Sequence, residues 1–557
     1  MNKSKIIYLL GFMCIIAGNM TIATSTEVYE GTIAGKEILT PKPGLNPKIT
    51  GAQIFGVRPG KPIRFCVSAT GMKPMNFAAT GLPAGVSIDR VSGWITGRAP
   101  KTKTNFMVTL TASNAKGKSS RKMIMSVGDT ICLTPPMGWN SWYAHSEAVS
   151  DASIRSMATA INEKGLSDHG WSYVNIDDCW MGERDPQTKA IQANAKFGNM
   201  KNLADFVNSK GLKLGIYSTL WMSTYAGYMG GTAPNDEADY SEFYLPEKER
   251  KNRAQIFGRC PNGIKKGLCT IGETWLVDKD AQQFADWGID YVKYDWKEWQ
   301  LVKKNKGGYG VDGSKAKIKT EANTKRFYDD FRALDRDIVI SLSPCHTLEE
   351  DKFVTKYCNL WRLTNDIHAK WDRIIAPFSM EHRLKLTRPG VYGDLDMLQF
   401  GPLGKPNRAN TVFKPSPLKP AEQYFQMTLW CLLTQPLLLS CNIPKMDEFD
   451  LNLATNDEVL SVNQDPLVKQ GYRIHSEKDS FEIWAKDLAD GSKAVGLFNL
   501  ANKDQNITVT AKQLGLKGNI RDLWRQKDIE ILKDSFTAKV SPHGVVFVKI
   551  TPIPTNH

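Results

Sequence analysis

The strongest constraint in this chain is a recurring pattern: a short apolar or aromatic run that ends in a carboxylate. Tyr291-Val292-Lys293-Tyr294 runs into Asp295, Tyr173-Val174-Asn175-Ile176 into Asp177 and Asp178, and the run starting at Leu360 into Asp366. A related run over 212–218 carries Tyr217 near its end. A strand buried on both faces reads as a near-continuous apolar run. These segments are therefore predicted to be parallel strands with acidic groups at their C-terminal tips. A (β/α)8 barrel keeps its chemistry on that face.

The rest of the pattern supports a barrel. Strand-like segments are predicted at 137–142, 173–178, 212–218, 291–296, 338–343, 360–365, 390–394 and 436–440. Helical periodicity lies between them, as at 151–163, 201–210 and 280–287. The expected barrel spans 133–464, and alternating strands and helices are its signature. The chain has 557 residues, too many for one compact domain. Residues 39–128 show short alternating runs separated by Gly, Pro and Ser, the pattern of a small immunoglobulin-like β-sandwich. Residues 465–557 return to an all-β pattern, with Asp490-Gly491 as a hairpin signal, and predict an antiparallel β-sandwich. The expected class is a multidomain protein with a central TIM barrel.

Lys3 and Lys5 precede an apolar stretch too short to span a bilayer, so residues 1–25 are predicted to be a secretory signal. The mature protein is then exported, to a periplasm, the cell surface or the medium, with no transmembrane span. Export permits disulfides. Of the 10 Cys, Cys14 falls within the signal, and Cys260/Cys269 and Cys345/Cys358 are the expected local pairs. No Cys or His spacing suggests a metal, and no cofactor motif is present. The net charge of +14 is spread without a nucleic-acid motif, which argues against a nucleic-acid partner.

Two carboxylates flanking a glycosidic bond can perform the whole of glycoside hydrolysis. Spacing alone does not pair Asp295 with Asp366, and an acidic strand end caps a following helix as readily as it catalyses. A resemblance adds what spacing cannot. The segments PMGWNSW (136–142), NIDDCW (175–180), GLKLGIY (211–217), WGIDYVKYD (287–295), DLDML (394–398) and LWCLL (429–433) are similar, in order, to those of glycoside hydrolase family 27. This is the α-galactosidase and α-N-acetylgalactosaminidase family of clan D. Residues 81–100 resemble the immunoglobulin-type, cadherin-like modules of bacteria.

The resemblance implies roles. Asp295 would be the nucleophile of a retaining, exo-acting α-galactosidase and Asp366 its acid/base. Asp177 and Asp178 would bind O4 and O6 of a galactose-like ring, Lys293 O3 and Arg362 O2. Trp142 and Tyr217 would line the pocket, and Asp396 would hold the site together. The acid must begin protonated, so Asp366 is expected in a partly dry setting. The partner would be a glycan with a terminal α-galactosyl-like sugar, with no cofactor and no metal.

The chain also departs from the family. Ser343 falls at or near the position where α-galactosidases carry a Glu facing the sugar's 2-hydroxyl, which keeps an α-N-acetylgalactosaminidase open. A β-L-arabinopyranosidase, whose sugar shares the stereochemistry but lacks C6, also stays open. A reading from a different class is a glycan-binding protein that has lost catalysis. The Cys that the family pairs beside the third and fourth strands are missing. An insertion at 222–276 is expected to overhang the active face; a second at 303–319, rich in Lys and Gly, follows the nucleophile strand and reads first as a solvated loop, with contact to an anionic glycan as the alternative.

Overall fold

The computed structural model describes residues 28–250, 255–259, 271–295, 313–343, 347–404 and 412–553, with backbone alone at 313–320 and 343. Eight parallel strands form its centre: β1 (Met137–Asn140), β2 (Tyr173–Ile176), β3 (Lys213–Ser218), β4 (Tyr291–Asp295), β5 (Val339–Ser343), β6 (Leu360–Arg362), β7 (Tyr392–Asp394) and β8 (Leu437–Leu439). Neighbours in sequence are neighbours in the sheet, and β8 pairs with β1. Leu398, just beyond β7, bridges Leu439 and donates its N–H to Leu438 O at 2.8 Å, which closes the barrel. Each strand coincides with one of the predicted apolar runs.

The strands are short and buried, as runs between a barrel interior and a helical shell must be. Helices Asp151–Glu163, Met200–Ser209 and Val277–Trp287 form part of that shell. The first begins in a capping box, with Ser150 and Ser153 bonding each other's backbone N–H. Burial of Ile154, Met157, Ala158 and Ile161 along one stripe, rather than intrinsic propensity, supplies most of such a helix's stability. Helix Gly313–Ala333 corrects one expectation: the end of the predicted 303–319 loop is helical. The remainder of that insertion lies outside the described residues.

The N-terminal module is a two-sheet sandwich. Strands Ile54–Val57, Gly117–Val127, Thr104–Asn114 and Asn76–Thr80 face Pro62–Cys66, Trp94–Arg98 and Ser87–Ile88 across a core that includes Ile63, Ile95, Val108 and Met125. It packs on the end of the barrel where the strands begin. Arg98 pairs with Asp335 at 2.6 Å, Arg58 pairs with Asp337, and Trp94 Nε1 donates to Asn208 O at 3.1 Å. The module therefore sits opposite the catalytic face.

The C-terminal part pairs a six-stranded antiparallel sheet with a three-stranded one. The smaller sheet contains a strand that sequence periodicity did not signal: Tyr29–Glu30 runs parallel to Ser535–Val540. The chain then reaches the barrel, where Thr40 N donates to Asn452 Oδ1 at 2.7 Å. Barrel and sandwich are joined by His543, which stacks on Trp371 at 4.0 Å and bonds Glu422 at 2.7 Å.

The cysteine expectation is corrected in part. Cys358 is a free buried thiol, as are Cys179, Cys431 and Cys441, and no disulfide joins the described residues. Cys260, Cys269 and Cys345 lie outside those residues, as does the predicted signal segment. Among the described residues no helix is long and apolar enough to cross a membrane.

Candidate active site

A cavity of about 240 Å³ opens at the C-terminal ends of the strands. Trp142, Asp177, Asp178, Tyr217, Lys293, Asp295, Arg362, Asp366 and Asp396 all line it. They come from loops and strand ends far apart in sequence, so only barrel closure brings them together. Ser343 is placed by its backbone alone, opposite Asp295 in the β4–β5 register.

One side of the cavity is built on β4. Lys293 and Asp295 are two residues apart on a strand and point the same way. Tyr217 on β3 donates its hydroxyl to Asp295 Oδ2 at 3.0 Å. Lys293 Nζ donates to Asp177 Oδ2 at 2.7 Å and lies 5.5 Å from the Tyr217 ring centroid. Burial alone would lower the Lys293 pKa, but the Asp177 and Asp295 carboxylates outweigh it and hold the ammonium above the usual lysine range. Asn140 Nδ2 gives Asp177 Oδ2 a second bond at 2.9 Å.

Asp178 is nearly enclosed, with 1% exposure. Its Oδ2 accepts from Ala226 N at 2.8 Å, and its Oδ1 from Cys179 N at 2.7 Å. Burial pushes its pKa up to about 7, against the bonds from Ala226 and Thr224 and with the Asp177 charge adding to the rise. The insertion after β3 thus reaches into the site. Its Tyr225 lines the cavity and meets Trp142 edge-on at 6.4 Å, while Arg259 lies over the Tyr225 ring at 5.9 Å and pairs with Glu147.

The opposite wall is an arginine between carboxylates. Arg362, at the end of β6, is 3.1 Å from Asp396 Oδ2 and 3.2 Å from Asp366 Oδ1. Asp396 takes a left-handed backbone conformation, φ +74°, which turns its side chain back into the site. Its Oδ2 accepts from Ile367 N at 2.9 Å and Tyr143 Oη at 3.1 Å. Burial pushes the Asp396 pKa up to about 6 despite the Arg362 guanidinium. The side chain of Asp366 is 64% exposed. That corrects the expectation of a dry setting: in the free protein Asp366 stands at the mouth, and covering it falls to a bound sugar.

Tyr143, Tyr225, Thr364, Asn365 and Met397 also line the cavity and were not singled out from the sequence. Tyr143, Asn365 and Met397 sit inside or beside the motifs and could have been found there. Tyr225 belongs to the insertion, where neither motif nor periodicity marks it. Among the described residues no cluster of His, Cys, Asp and Glu is arranged to hold a metal ion.

Comparison with known proteins places this geometry. The family model for α-galactosidase A matches residues 134–244 and 261–465, and that for the α-galactosidase C-terminal β-sandwich domain matches 478–550. An Ig-domain model matches 46–128. α-Galactosidase 2 of Arabidopsis thaliana is 30% identical over 456 residues, covering 80% of this chain and 96% of its own. Human α-N-acetylgalactosaminidase is 26% identical over 459 residues, covering 77% of this chain and 95% of its own. A crystal structure from Bacteroides fragilis superposes with a TM-score of 0.74 at 25% identity, over 93% of this chain and 99% of that one. With a model of the family matched across the barrel and a second across the tail, the chain belongs to the α-galactosidase family, glycoside hydrolase family 27, and is a glycoside hydrolase.

Proposed function

We propose that the protein is a retaining, exo-acting α-galactosidase. One observation carries this reading: Asp295 at the end of β4 and Asp366 in the loop after β6 face a single cavity of about 240 Å³ alongside Lys293, Asp177 and Asp178. A pocket that small, below the roughly 300 Å³ at which ordinary ligand sites begin, suits one sugar ring rather than a polymer segment.

In the proposed mechanism the Asp295 carboxylate attacks the anomeric carbon as Asp366 gives its proton to the departing glycosidic oxygen. The glycosyl-enzyme ester then breaks when Asp366, now a carboxylate, takes a proton from water and the resulting hydroxide displaces Asp295. Tyr217 orients the attacking carboxylate through the 3.0 Å bond, and Lys293 points the same way from the same strand. Asp177 and Asp178 would take O4 and O6, Lys293 O3, and Arg362 O2, with Trp142 as a wall and Asp396 holding Arg362. No step calls on a metal or cofactor, so a chelator should leave the rate unchanged.

A second reading, an α-N-acetylgalactosaminidase, is favoured by Ser343, a small residue beside Asp295 in register. Initial rates on 4-nitrophenyl α-D-galactoside, α-N-acetylgalactosaminide and β-L-arabinopyranoside separate these readings. The galactoside is expected to be cleaved fastest, with the α-anomer of galactose as first product by NMR. Preference for the acetamido sugar or the pentoside would replace the reading with that activity. Sugar binding without turnover of any of them would make the protein a glycan binder. Export belongs to the proposal as well: N-terminal sequencing of protein from the producing cells should begin near residue 26, and an intact Met1 would refute it.

A further inference from the structure

A cavity of about 330 Å³, larger than the catalytic one, lies at the other end of the barrel. Its walls come from both the N-terminal module and the strand beginnings. Lys213, the first residue of β3, projects into it. The ammonium makes no ion pair or hydrogen bond with the described residues; it lies 5.3 Å from the Tyr173 ring and 5.9 Å from the Phe55 ring. Burial draws the Lys213 pKa below the ordinary lysine range, against the pull of the Asp290 carboxylate and with Arg64 and Arg336 adding to the fall.

The surrounding charges do not supply the missing anion. Arg64 and Arg336 both bond one oxygen of Asp290, Oδ1, at 3.2 and 2.6 Å. Three cations therefore share a single carboxylate, whose Oδ2 is buried without a hydrogen-bond partner. The other acids of the wall are already matched: Asp168 pairs with Lys73, and Asp337 with Arg58. One carboxylate among three cations leaves the cluster short of negative charge, and an anion entering beside Lys213 supplies it. Tyr173 and Phe55 line the cavity beside the ammonium, so the entering molecule also meets apolar surface there.

We propose that this interdomain cavity is a second ligand site, for a monosaccharide-sized organic anion whose carboxylate pairs with Lys213 while its ring packs against Tyr173 and Phe55. The site is formed only when the N-terminal module is docked on the barrel, so the ligand would bind both parts at once and stabilise their union.

The test uses the full chain and D-glucuronate, whose equatorial 4-hydroxyl does not match the galactose-type catalytic site. Calorimetry and thermal shift are expected to show one glucuronate bound per chain, undisturbed by excess D-galactose. D-Glucose should not bind. Lys213→Met should weaken glucuronate at least about 10-fold while leaving 4-nitrophenyl galactoside turnover intact, and Lys213→Arg should retain binding. Absence of glucuronate binding, equal binding by Lys213→Met, or displacement by galactose would overturn the proposal. So would sulfate binding as tightly as glucuronate, since the aromatic faces would then contribute nothing. If Lys213→Met does not fold, a glucuronate-soaked crystal decides: density beside Lys213 supports the site, and density elsewhere or none refutes it.

Discussion

Arg362 is held against Asp396 at 3.1 Å, and the same Nη2 reaches Asp366 at 3.2 Å. An arginine beside an acid catalyst favours the acid's ionised form, the wrong one for proton donation. Asp396 shares the guanidinium's charge and relieves that pull. Asp396→Asn leaves Asp366 as the near carboxylate, so Asp366 should lose its proton at lower pH. The alkaline limb of the kcat/KM profile is then expected to move to lower pH. Alkyl galactosides, which need the proton most, should slow by about 10–100-fold, and 4-nitrophenyl galactoside by less. An unmoved limb would assign Asp396 a purely structural part.

Asp295→Asn removes the attacking carboxylate but retains its shape and the Tyr217 bond at 3.0 Å. Turnover should fall by at least about 10³-fold with galactose affinity largely kept, since the loss falls on the transition state. Stopped assays and calorimetry on one preparation check this. Parallel loss of binding would mean that the variant had collapsed the pocket.

Asp178 makes stability depend on pH. Its folded-state pKa of about 7 lies above the roughly 3.9 of an unfolded aspartate, so the native state binds more protons between those values. Stability should therefore fall as pH rises from about 4 to 7, by up to about 1.4 kcal/mol per unit for this group. Asp396, pushed up to about 6, acts with the same sign. Denaturant unfolding across pH 4–8 should show the decline, and Asp178→Asn should flatten it. The comparison is of slopes, because an amide cannot accept from both Ala226 and Cys179 as the carboxylate does.

Lys293→Met would leave Asp177, whose side chain is 3% exposed, without its cation at 2.7 Å. Breaking a buried pair from one side costs about 3–5 kcal/mol, because the remaining charge is stranded. Adding Asp177→Asn should recover a good part of that loss while activity stays absent. A double variant no more stable than Lys293→Met would show that the pair is not the source of the effect.

The eight strands were legible because short, mostly apolar runs alternate with longer stretches of helical periodicity, and length and order tell the one from the other. The ordered motifs likewise placed the carboxylates before any fold was known. The end of the 303–319 insertion was misread, since Lys and Gly dominate its composition while the backbone from Gly313 follows the long helix beyond. Tyr29–Glu30 was missed because a two-residue strand carries no periodicity; its partner, Ser535–Val540, lies at the far end of the chain.

The sequence by itself determined the barrel, its flanking β modules and the family, because local periodicity and ordered motifs survive without coordinates. Tertiary structure alone decided the partnerships: Lys293 with Asp177, Arg362 shared by Asp396 and Asp366, Ala226 on Asp178, and Lys213 facing a cavity between domains. Those depend on how strands far apart in the chain close on one another and on how much water each group keeps, and neither is a local property of the chain.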